Sequence, residues 1–271
     1  MSNSSSSGTA LITGASTGIG AVYADRLARR GYDLVLVARN ETRLMALAGR
    51  LTAETGRSIA PLRADLSDKA DLAKVERVLR EDQAITMLVN NAGIGAVTPL
   101  LDTDVDKMDE LIALNVTALT RLTYAVAPAF VARRRGTIIN IASIVGISPE
   151  TLNGVYGASK AYVIALTHSL QHELADKGIR NQAVLPAGTA TDFWDKTGLP
   201  YDHLPEGTVM SAEDMVDAAL VGLDQGELVT LPSHPDCNEW TRFEEARRTM
   251  SSHFFHSEPA PRCRTAACAS V

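Results

Sequence analysis

Tyr156 and Lys160 stand four positions apart in the stretch GVYGASKAY, separated only by Gly157, Ala158 and Ser159. On a helix that spacing sets a phenol and an ammonium side by side on one face, and the small residues between them leave room for a ligand. The pair alone leaves two readings open: surface decoration, or a proton donor with its electrostatic partner. A free phenol titrates near ~10, too high to release its proton readily at neutrality. An ammonium ~4 Å away in an effective dielectric of ~20 contributes about 4 kcal/mol, or roughly three pKa units downward. The expectation is a tyrosine titrating near about 7, where acid and base forms are both accessible.

Other polar residues fall where they would meet this pair. The stretch NNAG (90–93) closes an apolar run, Asn115 follows in a long helical segment, and Ser143 lies just past another apolar run, ahead of Tyr156. Near the N-terminus, TGASTGIG places Gly14, Gly18 and Gly20 between a strand and a helix. There glycines allow a tight turn and close backbone approach to a pyrophosphate, whose charge the helix N-terminus favours. At the end of the second strand an acidic residue would bind the ribose 2′-hydroxyl of NAD. This chain instead reads VARN, with Ala38, Arg39 and Asn40. An arginine suits a 2′-phosphate, and Asn40 can both touch that phosphate and cap the next helix. NADP(H) is therefore the expected cofactor, with NAD(H) still possible; the competing reading of Arg39 is a solvated strand end. Glu41, the nearest acid, fits the positive end of the following helix dipole.

The elements that position these residues alternate. Apolar, β-branched runs at 9–13, 33–38, 58–64, 85–90, 136–142, 180–186 and 227–231 predict strands. Helical segments are expected at 19–30, 41–54, 69–80, 107–135 and 155–177, with Pro128 kinking the fourth of them. Nearly continuous apolar strands separated by helices imply an α/β fold, a doubly wound (Rossmann-type) parallel sheet of about seven strands with helices on both faces. Its ligand crevice lies beyond the carboxyl ends of the strands. One domain is expected over 1–256, with 1–7 flexible and 257–271 disordered. Residues 190–210, ATDFWDKTGLPYDHLPEGTVM, form a long insertion carrying Phe193, Trp194, Tyr201 and His203, and are expected to act as a substrate lid. Packing of those rings on their own domain is the alternative. If Phe193, Trp194 and Tyr201 line the site, the substrate is bulky and apolar.

Composition narrows the classes. A net charge of −6 with no basic stripe argues against nucleic-acid binding. The single basic run, Arg133 to Arg135, ends a helix and suits its dipole. The N-terminus lacks the pattern of a secretory signal, and the most apolar stretch, 137–147, is too short to cross a bilayer, so a cytoplasmic location with no membrane partner is expected. Cys237, Cys263 and Cys268 show no metal or disulfide spacing. His168 and His172 have i, i+4 spacing but no third ligand, so no metal is expected. The segment 238–250 predicts an amphipathic helix with Trp240 and Phe243 on one face, suited either to covering a core or to meeting another subunit.

Taken in order and at these separations, TGxxxGIG, NNAG, Asn115, Ser143 and YxxxK resemble the short-chain dehydrogenase/reductase superfamily in its short, single-domain branch, from about Thr9 to Leu231. The resemblance implies a catalytic tetrad of Asn115, Ser143, Tyr156 and Lys160. Ser143 would hydrogen-bond the carbonyl oxygen and Tyr156 would protonate it. Lys160 would also hold the nicotinamide ribose, and Asn115 would anchor a water linking Lys160 to solvent. Cofactor contacts are implied for Gly14, Ser16, Ile19, Arg39, Asp65, Asn91 and Thr191. Beside them come Thr17, Gly18, Gly20, Asn40, Leu66, Ala92, Gly93, Pro186 and Thr189, and the pair Tyr156 and Lys160 itself. Two departures stand out: Pro186-Ala187 replaces the usual Pro-Gly, and Thr17 stands where NADP-dependent relatives often carry a basic residue. The implied activity is an NADP(H)-preferring carbonyl reductase or alcohol dehydrogenase acting on a small-molecule carbonyl or alcohol, as a homodimer or homotetramer. A 3-oxoacyl-thioester reductase of fatty-acid synthesis and a non-catalytic NADP-binding sensor are the rivals.

Overall fold

A computed structural model of the chain describes residues 7–194, 197 and 205–263. The chain packs as two units, Met1–Ser233 and His234–Val271. In the first, the strands are β1 (Thr9–Thr13), β2 (Asp33–Ala38), β3 (Ile59–Arg63), β4 (Ile85–Asn90), β5 (Gly136–Ile141), β6 (Ile179–Val184), β7 (Gly188–Ala190), β8 (Val209–Ser211) and β9 (Val229–Thr230). The helices are α1 (Gly18–Arg29), α2 (Glu41–Thr55), α3 (Lys69–Glu81), α4 (Val105–Ile112), α5 (Leu119–Arg133), α6 (Gly154–Leu174) and α7 (Ala212–Gln225). Seven strands form one sheet in the order β3-β2-β1-β4-β5-β6-β9, with every neighbouring pair parallel. The strand order reverses between β1 and β4, which opens the crevice at their carboxyl ends.

Adjacent residues of β1 serve opposite faces, as a pleated strand requires. Ala10 and Ile12 join Tyr23 and Leu27 of α1 and Met215 and Leu220 of α7 in one core. Leu11 joins Leu72 of α3, Leu122 and Phe130 of α5, and Ile138 of β5 in the other. Both faces being covered explains why all five residues of β1 are buried.

Besides α7, which lies outside every expected helical segment, three features depart from the sequence expectation. The long helix expected over 107–135 is α4 and α5 joined by a π-helical turn, Ala113–Ala118, and α5 runs through Pro128 to Arg133. The continuous stretch Val105–Arg133 has the length and mean hydropathy, 1.2, of a membrane span, because its apolar side packs into the core against the sheet. The third is the two-stranded pairing of β7 with β8, which no apolar run announces.

The basic run closes this helix. Arg133 donates to the Ile85 carbonyl, Arg134 to that of Asp176 and Arg135 to that of Ser7, so each guanidinium holds a neighbouring segment. Ser7 is tied further by its amide to the Gly31 carbonyl. In the second unit, α8 (Cys237–Ser251) is capped by the Asp236 side chain and carries Trp240 and Phe243 with ring centroids 5.1 Å apart. A 3-10 turn follows at Pro261–Cys263 within the tail.

Candidate active site

The glycine turn after β1 is built for close approach. Gly14 has φ +67° and Gly18 φ +53°, conformations that side chains disfavour. Gly20 lines neither of the two cavities described below: a Cβ there would stand 2.4 Å from the Gly14 carbonyl oxygen, so its smallness seats α1 under the turn. Thr17 makes no side-chain cap to α1, and no acid lies in its first turn. The first amides of α1 are thus left without intrahelical acceptors beside a cavity of about 740 Å³.

Gly14, Ser16, Thr17 and Gly18 line that cavity on one side, and Asp65 and Leu66 on another. Asn91, Ala92 and Gly93 complete its floor. The floor is stitched to β1: Thr13 Oγ1 accepts from the amides of Asn91 and Ala92, while Asn91 Nδ2 donates to the Thr13 carbonyl at 2.8 Å. Arg39 and Asn40 also line it, with the Arg39 side chain 64% exposed and 3.8 Å from the Asp65 carboxylate. Asn40 caps α2 by accepting from the Arg43 amide at 3.0 Å. Arg43 lines the same cavity and pairs with Asp192 at 3.1 Å. Sequence reading passed over Arg43, although its place in the first turn of α2, next to the Asn40 cap, puts it beside Arg39 at the strand end.

The second cavity, of about 340 Å³, lies where α6 faces the end of β5. Asn153 caps α6 by accepting from the Val155 and Tyr156 amides, which fixes the helix start next to Tyr156. Ser143, Tyr156 and Lys160 line the cavity together, with Ile19, Pro186, Thr189 and Thr191. Its apolar walls are Ile144, Val145, Leu152, Phe193 and Trp194. Of these, Ile144, Val145 and Leu152 were missed; the apolar SIVGI run directly after Ser143 was the available signal.

The electrostatic expectation for Tyr156, a phenol drawn down toward neutrality, is overturned. Lys160 Nζ donates to the Ile141 carbonyl at 2.9 Å and lies 5.8 Å from the Tyr156 ring centroid. Burial then dominates: it pushes Tyr156 up to about 12, opposed only by a hydrogen bond with Ser143, and pushes Lys160 down to about 8. The reading of 157–159 as clearance for ligands also changes. Gly157 packs on Pro149, where a Cβ would stand 3.0 Å from its Cα; Ser159 Oγ donates to the Tyr156 carbonyl; Ala158 is exposed. Gly157 thus serves packing of α6 on the preceding turn, Ser159 its tie to Asn115, and Ala158 faces solvent.

Asn115 sits in the π-helical turn, a geometry that re-aims a side chain out of the α-helical register. It is 2% exposed and lines neither cavity. Its amide donates to the Ile94 carbonyl at 2.9 Å and to Ser159 Oγ at 3.2 Å, and its oxygen accepts from the Ile94 amide. Asn115 therefore clamps the NNAG loop to α6 from behind. Trp194 is fixed by an Nε1 bond to the Thr189 carbonyl at 2.8 Å. Tyr201 and His203 lie outside the described residues.

A sequence model of the short chain dehydrogenase family matches residues 8–201. The chain belongs to that family. Among solved structures, this short-chain dehydrogenase is similar to one from Sphingobium yanoikuyae in complex with NADPH, at 49% identity and TM-score 0.92, covering 95% of this chain and 100% of that one. It is also similar to the bulky-bulky ketone specific alcohol dehydrogenase from Comamonas testosteroni, at 44% identity and TM-score 0.89, covering 96% and 100%. A more distant relative is the very-long-chain 3-oxoacyl-CoA reductase of Anas platyrhynchos, 37% identical over 186 residues, which are 67% of this chain and 60% of that protein. As a short-chain dehydrogenase the protein is an oxidoreductase, and its seven-stranded parallel sheet is the architecture of its relatives.

Proposed function

We propose that this short-chain dehydrogenase is an NADP(H)-preferring carbonyl reductase and alcohol dehydrogenase for bulky, apolar ketones and the matching secondary alcohols. The observation that carries the reading is a hydroxyl pair, Ser143 and Tyr156, together with Lys160 in a largely apolar cavity that adjoins a glycine-lined, arginine-ended crevice. The crevice fits a dinucleotide: Gly14 and Gly18 open the turn, the amides of α1 await an anion, and Arg39 and Arg43 supply positive charge for a 2′-phosphate. The NADPH held by the Sphingobium relative supports the same assignment.

When bound, the dinucleotide supplies or accepts the hydride at the carbonyl carbon. Ser143 Oγ donates a hydrogen bond to the carbonyl oxygen, stabilising the charge that develops there. Tyr156 delivers its proton to that oxygen. Burial keeps the phenol protonated to about 12, so the donor is fully loaded at neutral pH, and an alkoxide is a stronger base than a phenolate. Lys160 and Asn115 hold the floor on which the reaction is set, through Ile141 and Ile94 respectively. The apolar walls exclude water from the reacting oxygen.

The Anas relative favours a second reading, reduction of a 3-oxoacyl thioester. Against it, the α4 side of the larger cavity carries Asp102, Asp104 and Glu110 around Lys107, a wall that repels an anionic carrier. The protein is taken as a cytoplasmic homodimer or homotetramer, in keeping with Leu100 and Leu101, which are 80% and 91% exposed. A panel of aryl ketones, aliphatic ketones and a 3-oxoacyl-CoA, run with NADPH and NADH in parallel, tests the reading. Turnover of aryl ketones with NADPH at about tenfold or greater kcat/KM over NADH is expected. Activity confined to the thioester, or absent throughout, would refute it.

A further inference from the structure

Phe193 borders both cavities, and it stands where they meet. The two share Asn91, Gly93, Thr191 and Phe193. On one side of the ring is the smaller cavity with Ser143 and Tyr156; on the other, the larger cavity continues along Gly95 to Thr98 and the α4 residues Met108 and Leu111. Three contacts hold the ring. It lies 6.0 Å from the Tyr156 ring at an interplanar angle of 43°, and 5.6 Å from Trp194 in an edge arrangement, with Trp194 itself anchored to Thr189. Its tip fills the space in which a Gly95 side chain would begin: a Cβ there would stand 2.2 Å from Cζ. Gly95 is the seat of this ring, and any larger residue would displace it.

We infer that Phe193, seated on Gly95, is a specificity-determining partition: a ketone places one substituent in the 340 Å³ cavity, and the ring limits how far the other reaches toward α4. The inference rests on the reading of the site as a ketone reductase. Removing the ring joins the two cavities beside Tyr156 and admits a second bulky arm. Adding a methyl at Gly95 does the reverse, since the seat is then filled and the ring is driven toward the smaller cavity. Trp194, tied by its indole N–H, cannot rotate to take over the position without losing that bond.

The test uses acetophenone, with one ring, and benzophenone, with two, on the full chain with NADP(H). Phe193→Ala, and Phe193→Leu should the alanine variant fold poorly, are expected to raise the benzophenone-to-acetophenone ratio of kcat/KM by about tenfold, the scale on which apolar pockets discriminate by size. Gly95→Ala is expected to lower the same ratio. Binding of both ketones to the NADP-loaded protein, measured by calorimetry, should move in parallel. Folded variants whose ratios stay at the wild-type value in both measurements overturn the partition. The two failures are separable: affinity ratios that shift as stated while no ketone is turned over support the partition and count against the reductase reading alone.

Discussion

The two ends of the crevice treat charge in opposite ways. At the phosphate end Arg39 and Arg43 are more than half exposed, and each faces a carboxylate at the rim, Asp65 and Asp192. At the carbonyl end Tyr156 and Lys160 are 6% and 7% exposed, and burial moves both titrations toward the neutral forms. Exposed charges are screened and select ligands by multiple modest contacts. Buried groups are governed by the cost of ionising at all. On the proposed function, one end recognises the cofactor and the other moves a proton without holding a charge.

The carbonyl end is where substitution should cost most. Tyr156→Phe removes the proposed proton donor and keeps the ring that packs against Phe193. Its kcat is expected to fall by about a thousandfold with the NADPH dissociation constant nearly unchanged, as for loss of a general acid. Stopped-flow turnover beside fluorescence titration reads both quantities. Retained turnover would show that another group supplies the proton.

Lys160 makes the contrast quantitative through stability. The folded protein releases its proton near pH 8, while an unfolded chain keeps it to about 10.5. The unfolded state therefore binds more protons across that window, so Lys160 opposes folding below pH 8 and the penalty fades as pH climbs from 8 toward 10.5. Tyr156 acts with the other sign, holding its proton to about 12 when folded and near 10 when unfolded, which lowers stability as pH rises between those values. Lys160→Met should stabilise the protein at pH 7 by on the order of 3 kcal/mol and abolish the gain between pH 8 and 10.5 relative to wild type. Urea unfolding at pH 7 and pH 10 gives both; equal stability of the two proteins at pH 7 would mean that Lys160 is solvated as well in the fold as outside it.

The same contrast explains what could be read in the residues alone. Strands such as TALIT and DLVLVA are almost continuously apolar because helices cover both faces, so the sheet and its parallel order followed from pattern. The glycine turn, NNAG, Ser143 and YxxxK were legible as a constellation because each ends or begins an element. Where side chains point was not legible. The i, i+4 rule brought Lys160 near Tyr156, but it could not say that the ammonium would turn to the Ile141 carbonyl, since that acceptor lies on β5, outside the helix. The π-helical turn at Asn115 was hidden for a similar reason: its sequence, ALNVTA, is ordinary helix, and only packing of that turn against Ile94 and Ser159 distinguishes it.

The exposed end should give the smaller response, and a different signature. Arg39→Ala and Arg43→Ala are each expected to weaken NADPH binding by about tenfold, the scale of a charge-assisted hydrogen bond at a wet surface, and to leave NADH affinity nearly unchanged. Raising the salt concentration should shrink the wild-type preference for NADPH toward that of the variants, because ions screen pairs as open as these. The buried end offers no such handle: the ratio of Tyr156→Phe to wild-type kcat should be insensitive to salt. If Arg39→Ala weakens NADH and NADPH equally, Arg39 only shapes the rim with Asp65, and recognition of the 2′-phosphate falls to Arg43 alone. Loss of preference in neither variant would place the phosphate away from α2, and the division between a recognising end and a proton-handling end would have to be redrawn.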